Sequence, residues 1–302
     1  MILFDAHVLI GQDYWLGNNK PELAHTLDVE DACSVLSIAA DGSQWRAAAM
    51  PFPSAREPNY VYENNYVIDS SSKDNRLIPI AVANPKNAEN FAYLQSKAAA
   101  GLLGGLMIWP ILCDLDLREL ADDVTFWSFV EQYDLPVTLH VATGDEPNYR
   151  NTVACNHYGP LDAVRLAARW PDVRFNLSHA LRLSRPALEE VAKLRNVWTD
   201  LSGYSSFGRW REARKETFPS HEPIIGPGYH NKLLDVLHRD YGLEGRILFG
   251  SSEPFCRWWG FSAKREYAIY KQMPIAEKMK MEFVNAAELF YRNWPIISQR
   301  PQ

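Results

Sequence analysis

Eight short apolar runs recur along the chain, each too short for a helix and each bounded by Gly, Pro, Asn or Asp. They are Leu3 to Val8, Ser34 to Ile38, Leu77 to Ala81, Leu103 to Ile108, Val137 to His140, Val173 to Leu177, Val197 to Leu201 and Ile247 to Phe249. The segments between them carry helix signals. Ser184-Arg185-Pro186 ahead of Leu188, Val191 and Leu194 is a cap, an early proline and an apolar stripe at helical spacing. Leu161, Val164, Leu166 and Ala168 precede the strand entry "RWPDVRF", and residues 87 to 100 and 126 to 133 read the same way. Eight strands alternating with helices predict an α/β fold of the (β/α)8 TIM-barrel type.

The 302 residues suit one such barrel, and no linker, repeat or low-complexity tract divides them, so residues 1 to 302 read as a single domain. Three insertions, 12 to 28, 40 to 72 and 203 to 228, follow the first, second and seventh strands and are expected to act as lids, because insertions after strands lie at the catalytic face. A net charge of -6 argues against a nucleic-acid or anionic-membrane surface. No stretch approaches the roughly 18 apolar residues that span a bilayer, and the first residues lack the basic and apolar regions of an export signal. Cys33, Cys113, Cys155 and Cys256 are scattered with no CxxC pair. The expectation is a cytoplasmic protein with reduced thiols, acting on a small molecule; the sequence does not fix its oligomeric state, and a homodimer is one assembly open to such a barrel.

The polar residues at strand ends carry the chemistry. The first strand closes on Asp5-Ala6-His7, the fifth on His140 and the sixth on His179; the seventh ends at Asp200, and the eighth runs into Ser252-Glu253. C-terminal strand ends of a barrel converge on one pocket, so three independent histidines there predict a shared site. Asp5 either orients His7 or caps a strand turn.

With these positions in view the sequence resembles the amidohydrolase-2 branch of the amidohydrolase superfamily. "ILFDAHVLIG" is similar to its opening strand, which usually ends Asp-x-His-x-His. "NRLIPIAVANP", "GLLGGLMIWP", "LPVTLHV", "WPDVRFNLSHALRL" and "NVWTDLSG" resemble its third to seventh strands. "RILFGSSEPF" stands where the family commonly has Gly-Ser-Asp-x-Pro, and "NAAELF" resembles its closing helix. The resemblance implies a metal-assisted hydrolase, decarboxylase or related lyase acting on small, often carboxylated molecules. His7, His140 and His179 match family histidines. Leu9 replaces the second histidine of the opening motif, Ser252 replaces the strand-eight aspartate, and Leu106 and Met107 leave no lysine to bridge two metals.

Two of four mononuclear metal ligands are therefore missing, and no metal or other cofactor is the expectation. Some lactone-hydrolysing relatives work without metal. By that resemblance Glu253 is the candidate base, His140 and His179 the electrophilic group, and Arg182 or Arg257 a forked contact for a substrate carboxylate, with a surface salt bridge as the alternative for each arginine. Ser252, Tyr204 and Trp258 complete the candidate substrate contacts, with "RWWGF" either roofing the pocket or packing on helices. Cys155 and His157 in "CNHYGP" read as loop structure, and no Gly-x-Ser-x-Gly elbow supports a serine hydrolase. The sequence reading is thus a hydrolase of a small lactone-type ester or amide, or a decarboxylase of a small acid. Its rivals are a mononuclear zinc enzyme ligated by His7, His140, His179 and Glu253, and a non-catalytic barrel that binds a small molecule or partner protein.

Overall fold

A computed structural model describes residues 2–12, 26–42, 44–52, 57–141, 157–202, 229–252 and 263–291, except 275, 277 and 279. Its strands are β1 (Ile2–Gln12), β2 (Thr26–Leu27), β3 (Gln44–Pro51), β4 (Leu77–Val82), β5 (Gly105–Ile108), β6 (Val137–Leu139), β7 (Phe175–Leu177), β8 (Val197–Asp200) and β9 (Ile247–Leu248). From β1 and β3 onward each pairs parallel with the next, which makes eight parallel strands; β2 only adds a short antiparallel rung to the end of β1. Main-chain bonds from Ala6 to the Phe249 carbonyl (2.8 Å) and from Ser252 to the His7 carbonyl (3.0 Å) bring β9 back to β1 and close the ring. The result is a (β/α)8 barrel.

Helices α1 (Val29–Ala40), α2 (Val61–Lys73), α3 (Ala88–Ala99), α4 (Leu117–Ala121), α5 (Val124–Gln132), α6 (Pro160–Arg169), α7 (Arg185–Val191), α8 (Tyr229–Arg239) and α9 (Ala263–Lys271) connect the strands. Their starts follow local chemistry. Asn87 and Asp123 accept from the main-chain N–H three residues on, at 2.9 and 3.0 Å, and start α3 and α5; Pro160 and Pro186 sit in the first turns of α6 and α7.

The expected second strand is corrected. Ser34 to Ile38 lie in α1, which Asp28 caps through the Asp31 N–H at 2.8 Å and which buries Ala32, Leu36 and Ala40 at a four-residue spacing. The strand is β3, whose Ala47-Ala48-Ala49 run lies wholly buried against β1 and β4 and so shows none of the polar alternation of a half-buried strand. Residues 40 to 72 are consequently not one insertion: their described part holds β3 and most of α2, and residues 43 and 53–56 lie outside the described residues. Of the other two expected lids, Thr26–Leu27 is strand and residues 13–25 and 203–228 lie outside the described residues. No described helix is long and apolar enough to cross a membrane.

The end of the barrel away from the strand termini is plugged by two π-helical turns, Lys280–Asn285 and Ala287–Tyr291. Buried Arg174, just before β7, donates to the Glu288, Leu289 and Asp134 carbonyls, and Asn285 donates to the Ile247 carbonyl at 2.6 Å. Chemistry is thereby left to the opposite end, where the strands terminate.

Candidate active site

The site is built on the chain's first strand. The pairing register of β1 shifts between Asp5 and Val8, and His7 sits in that irregularity. Asp5 fixes it from beneath: one carboxylate oxygen accepts the main-chain N–H of both His7 and Ser251 at 3.0 Å, the other the Tyr267 hydroxyl at 2.7 Å. Burial pushes the Asp5 carboxyl up, and the bonds from Ser251, His7 and Tyr267 offset part of that rise. Asp5 thus holds the main chain of His7 against β9 rather than its ring. Gly250 is required beside it, since a Cβ there would stand 2.9 Å from the Ser202 Cβ and 3.1 Å from the His7 Cβ.

His140 follows β6 directly and its main chain donates to the Ile108 carbonyl at 3.0 Å. His179 follows β7 by two residues and opens a left-handed turn: His179, Ala180, Leu181, Arg182 and Leu183 all hold φ between 48° and 62°. Each such residue costs about 1–2 kcal/mol relative to the right-handed form, a strain that functional sites often hold. The turn buries Ala180 and Leu181 and carries Arg182 back to the Val141 carbonyl, which its Nε donates to at 2.8 Å.

The three imidazoles meet. The ring of His179 lies 5.3 Å from that of His7 and 4.9 Å from that of His140, centroid to centroid. His7 and His179 are sealed, at 1% and 4% exposure, while His140 and Arg182 keep part of their surface in contact with solvent. Burial, the charge of His179 and that of Arg182 hold His140 well below the usual imidazole value; burial and the charges of Arg182 and His7 do the same for His179. Both are thereby held toward the neutral form.

Asp200, the last residue of β8, lies at the centre of the polar network. One of its oxygens accepts from the main chains of His179 (3.2 Å) and Ser202 (3.0 Å) and from the Ser202 hydroxyl; the other accepts from Asn176 Nδ2 at 2.7 Å and lies 3.6 Å from Nδ1 of His7. Burial alone would raise this carboxyl, but His7, His179 and the Ser202 hydroxyl hold it well below the usual carboxylate range. The tautomer of His179 follows from its partners. Its Nδ1 is 2.8 Å from the Ser202 carbonyl oxygen, which can only accept, and 2.8 Å from the Ser202 hydroxyl, whose proton goes to Asp200. The proton therefore sits on Nδ1, and Nε2 carries the lone pair.

Sequence reasoning gave Asp200 no role, although its place at a strand end was the signal. It missed Ser202 and Asn176, which become recognisable only through their bonds, and Trp109, whose ring lies 4.4 Å from His140. Ser252 is buried at φ 57°, its main chain bonded to His7. Glu253, Arg257, Trp258 and Tyr204 lie outside the described residues.

Among the described residues the donors do not make up a metal centre, and Glu253 lies outside them. Leu9, fully buried against β3, offers no ligand, and the Asp200 oxygens are occupied by four N–H and O–H donors. Among the described residues no three His, Cys, Asp or Glu side chains are grouped to hold a metal ion.

Comparison with known proteins agrees with this barrel. An amidohydrolase of Burkholderia multivorans, solved with bound HEPES, is similar in structure at 17% identity and TM-score 0.68, with 96% of this chain and 99% of that one covered. A probable 2-pyrone-4,6-dicarboxylic acid hydrolase of Acinetobacter baumannii, solved with citric acid, is similar at 17% identity and TM-score 0.63, over 96% and 98%. A 4-oxalomesaconate hydratase of Rhodopseudomonas palustris is similar at 14% identity and TM-score 0.59, over 98% and 97%. At these identities the likeness is one of fold. No curated protein matches the sequence. The family description "Amidohydrolase" matches residues 5–291, nearly the whole chain. The chain belongs to the amidohydrolase-2 family.

Proposed function

We propose that the chain hydrolyses a small carboxylated cyclic ester of the lactone class without a metal ion, with His179 as general base. The observation that carries this reading is the chain of bonds from Asp200 through Ser202 to Nδ1 of His179, which leaves the lone pair on Nε2. A neutral imidazole so held can take a proton from water as the oxygen adds to the ring carbonyl, and return it to the ring oxygen as the ester bond breaks. The imidazolium formed in between is stabilised by the ionised Asp200 behind Ser202.

Arg182 and His140, the two partly exposed groups, line the approach to His179. A substrate carboxylate beside the Arg182 guanidinium gains a charge-assisted contact, and it also cancels the positive charge that lowers His179. Binding of a carboxylated substrate thereby raises the basicity of the group that must act. An uncharged ester lacks that effect. The solved neighbours described as 2-pyrone-4,6-dicarboxylic acid hydrolase and 4-oxalomesaconate hydratase support a carboxylated substrate class.

The test is to incubate the protein with 2-pyrone-4,6-dicarboxylate and follow loss of the ring chromophore together with evolved carbon dioxide. Ring opening without carbon dioxide, reduced about 10²-fold or more in His179→Asn and less in Ser202→Ala, supports the reading. Carbon dioxide release would move the assignment to decarboxylation. Turnover that survives His179→Asn would remove the base.

A further inference from the structure

Trp109 stands at the first position beyond β5 and takes no part in the bond chain from Asp200 to His179. Its indole lies over His140 at 4.4 Å with 36° between the planes and meets His7 edge-on at 6.4 Å. The residue is 4% exposed, and among the described residues its Nε1–H is buried without an acceptor. Other buried or half-buried indoles are satisfied: Trp127 donates to the Leu120 carbonyl at 2.7 Å, Trp170 to the Ala121 carbonyl at 2.9 Å and Trp45 to the Ser37 hydroxyl at 3.0 Å. Trp198 also lacks an acceptor, but it borders a surface recess with Arg246 and Glu288.

An indole N–H is a donor only, so no tautomer or rotation can satisfy it from within. A buried donor left unpaired is uncommon in native proteins and calls for a partner beyond the described residues. Here the unpaired donor belongs to the ring that packs against two of the three clustered histidines.

We propose that Trp109 Nε1–H donates to the ring-carbonyl oxygen of the bound substrate. The inference rests on the lactone reading and deepens it by naming the group that receives the charge building on that oxygen. A donor already stripped of water needs no reorganisation when the oxygen becomes negative, which is the condition for an effective oxyanion contact. Its contact with His140 also fixes the ring plane, so the donor is held by packing.

Two measurements test it. Trp109→Phe keeps an aromatic ring against His140 and removes the donor together with one of the two fused rings. On 2-pyrone-4,6-dicarboxylate it should lower kcat by roughly 10²-fold with KM little changed, while the protein stays folded and its melting temperature falls only by what the smaller ring costs in packing. In the 15N-labelled wild-type protein the Trp109 indole resonance, assigned by its loss in Trp109→Phe, should move downfield when citrate or the pyrone is added. Turnover that survives Trp109→Phe, or an indole resonance that moves with neither compound, overturns the proposal. Failure of the lactone reading looks different: the wild-type protein would not open the pyrone, while the Trp109 resonance still moved with citrate.

Discussion

The carboxylate of Asp200 lies 3.6 Å from Nδ1 of His7, with both groups closed off from solvent. Among the described residues Nδ1 of His7 has no hydrogen-bond partner, whereas Asp200 accepts four donors from its own side of the barrel. The two residues come from β1 and β8, the strands on either side of β9 in the closed barrel, and face each other across it. A charge placed there is held by the barrel as a whole.

Asp200→Asn exchanges an acceptor of four bonds for a group with one acceptor oxygen and two donors, which then face Asn176, Ser202 and the His179 main chain. Breaking one partner of a buried charged network costs about 3–5 kcal/mol, and the denaturant midpoint should fall accordingly. A change below about 1 kcal/mol would show that the network is looser than its geometry indicates.

Stability should fall as the pH drops below about 6.5, the ordinary histidine value. His140 and His179 are both held below that value in the folded protein, first by burial, so the unfolded chain binds their protons more readily and acid favours it. The slope is about 1.4 kcal/mol per pH unit for each group that titrates only when unfolded. Asp200, also lowered, adds to the loss at still lower pH, and Asp5, raised, opposes it. Urea midpoints between pH 5 and 8 should show this slope, and His140→Gln should flatten it.

Gly250→Ala should be destabilising by about 1–3 kcal/mol, because the new methyl group enters space already filled by the His7 and Ser202 side chains. Both neighbours belong to the site, so turnover should fall by more than thermal stability alone explains. Retained activity in this variant would mean that His7 and Ser202 tolerate displacement.

Prolonged treatment with a strong chelator, followed by assay in metal-free buffer, should leave ring-opening activity unchanged. The reasons are the buried Leu9 in the opening strand and the occupied oxygens of Asp200. Loss on chelation with recovery on adding zinc would reverse the metal-free reading.

Most of the barrel was legible because its strands are short apolar runs with sharp ends. The second strand was not, because Gln44–Pro51 carries three alanines and is buried on both faces, while Ser34 to Ile38 is an apolar stretch of a capped helix. His7, His140 and His179 could be read because each is a polar residue breaking or following an apolar run, although β1 does not close at His7 but continues to Gln12. Ser202 could not: a serine two residues past a strand carries no signal until its hydroxyl is seen between Asp200 and His179. Trp109 escaped for the opposite reason, since an indole after an apolar run reads as core. Residues 253, 257, 258 and 204 fall outside the described residues.

Asp200 and Ser202 fix the proton of His179 on Nδ1 and leave Nε2 unprotonated, and histidine 15N chemical shifts of the selectively labelled protein measure this directly. His179 should keep a protonated Nδ1 and an unprotonated Nε2 from pH 8 down to below 6.5, and Ser202→Ala should disturb this state. A proton found on Nε2, or an imidazolium at neutral pH, would contradict it.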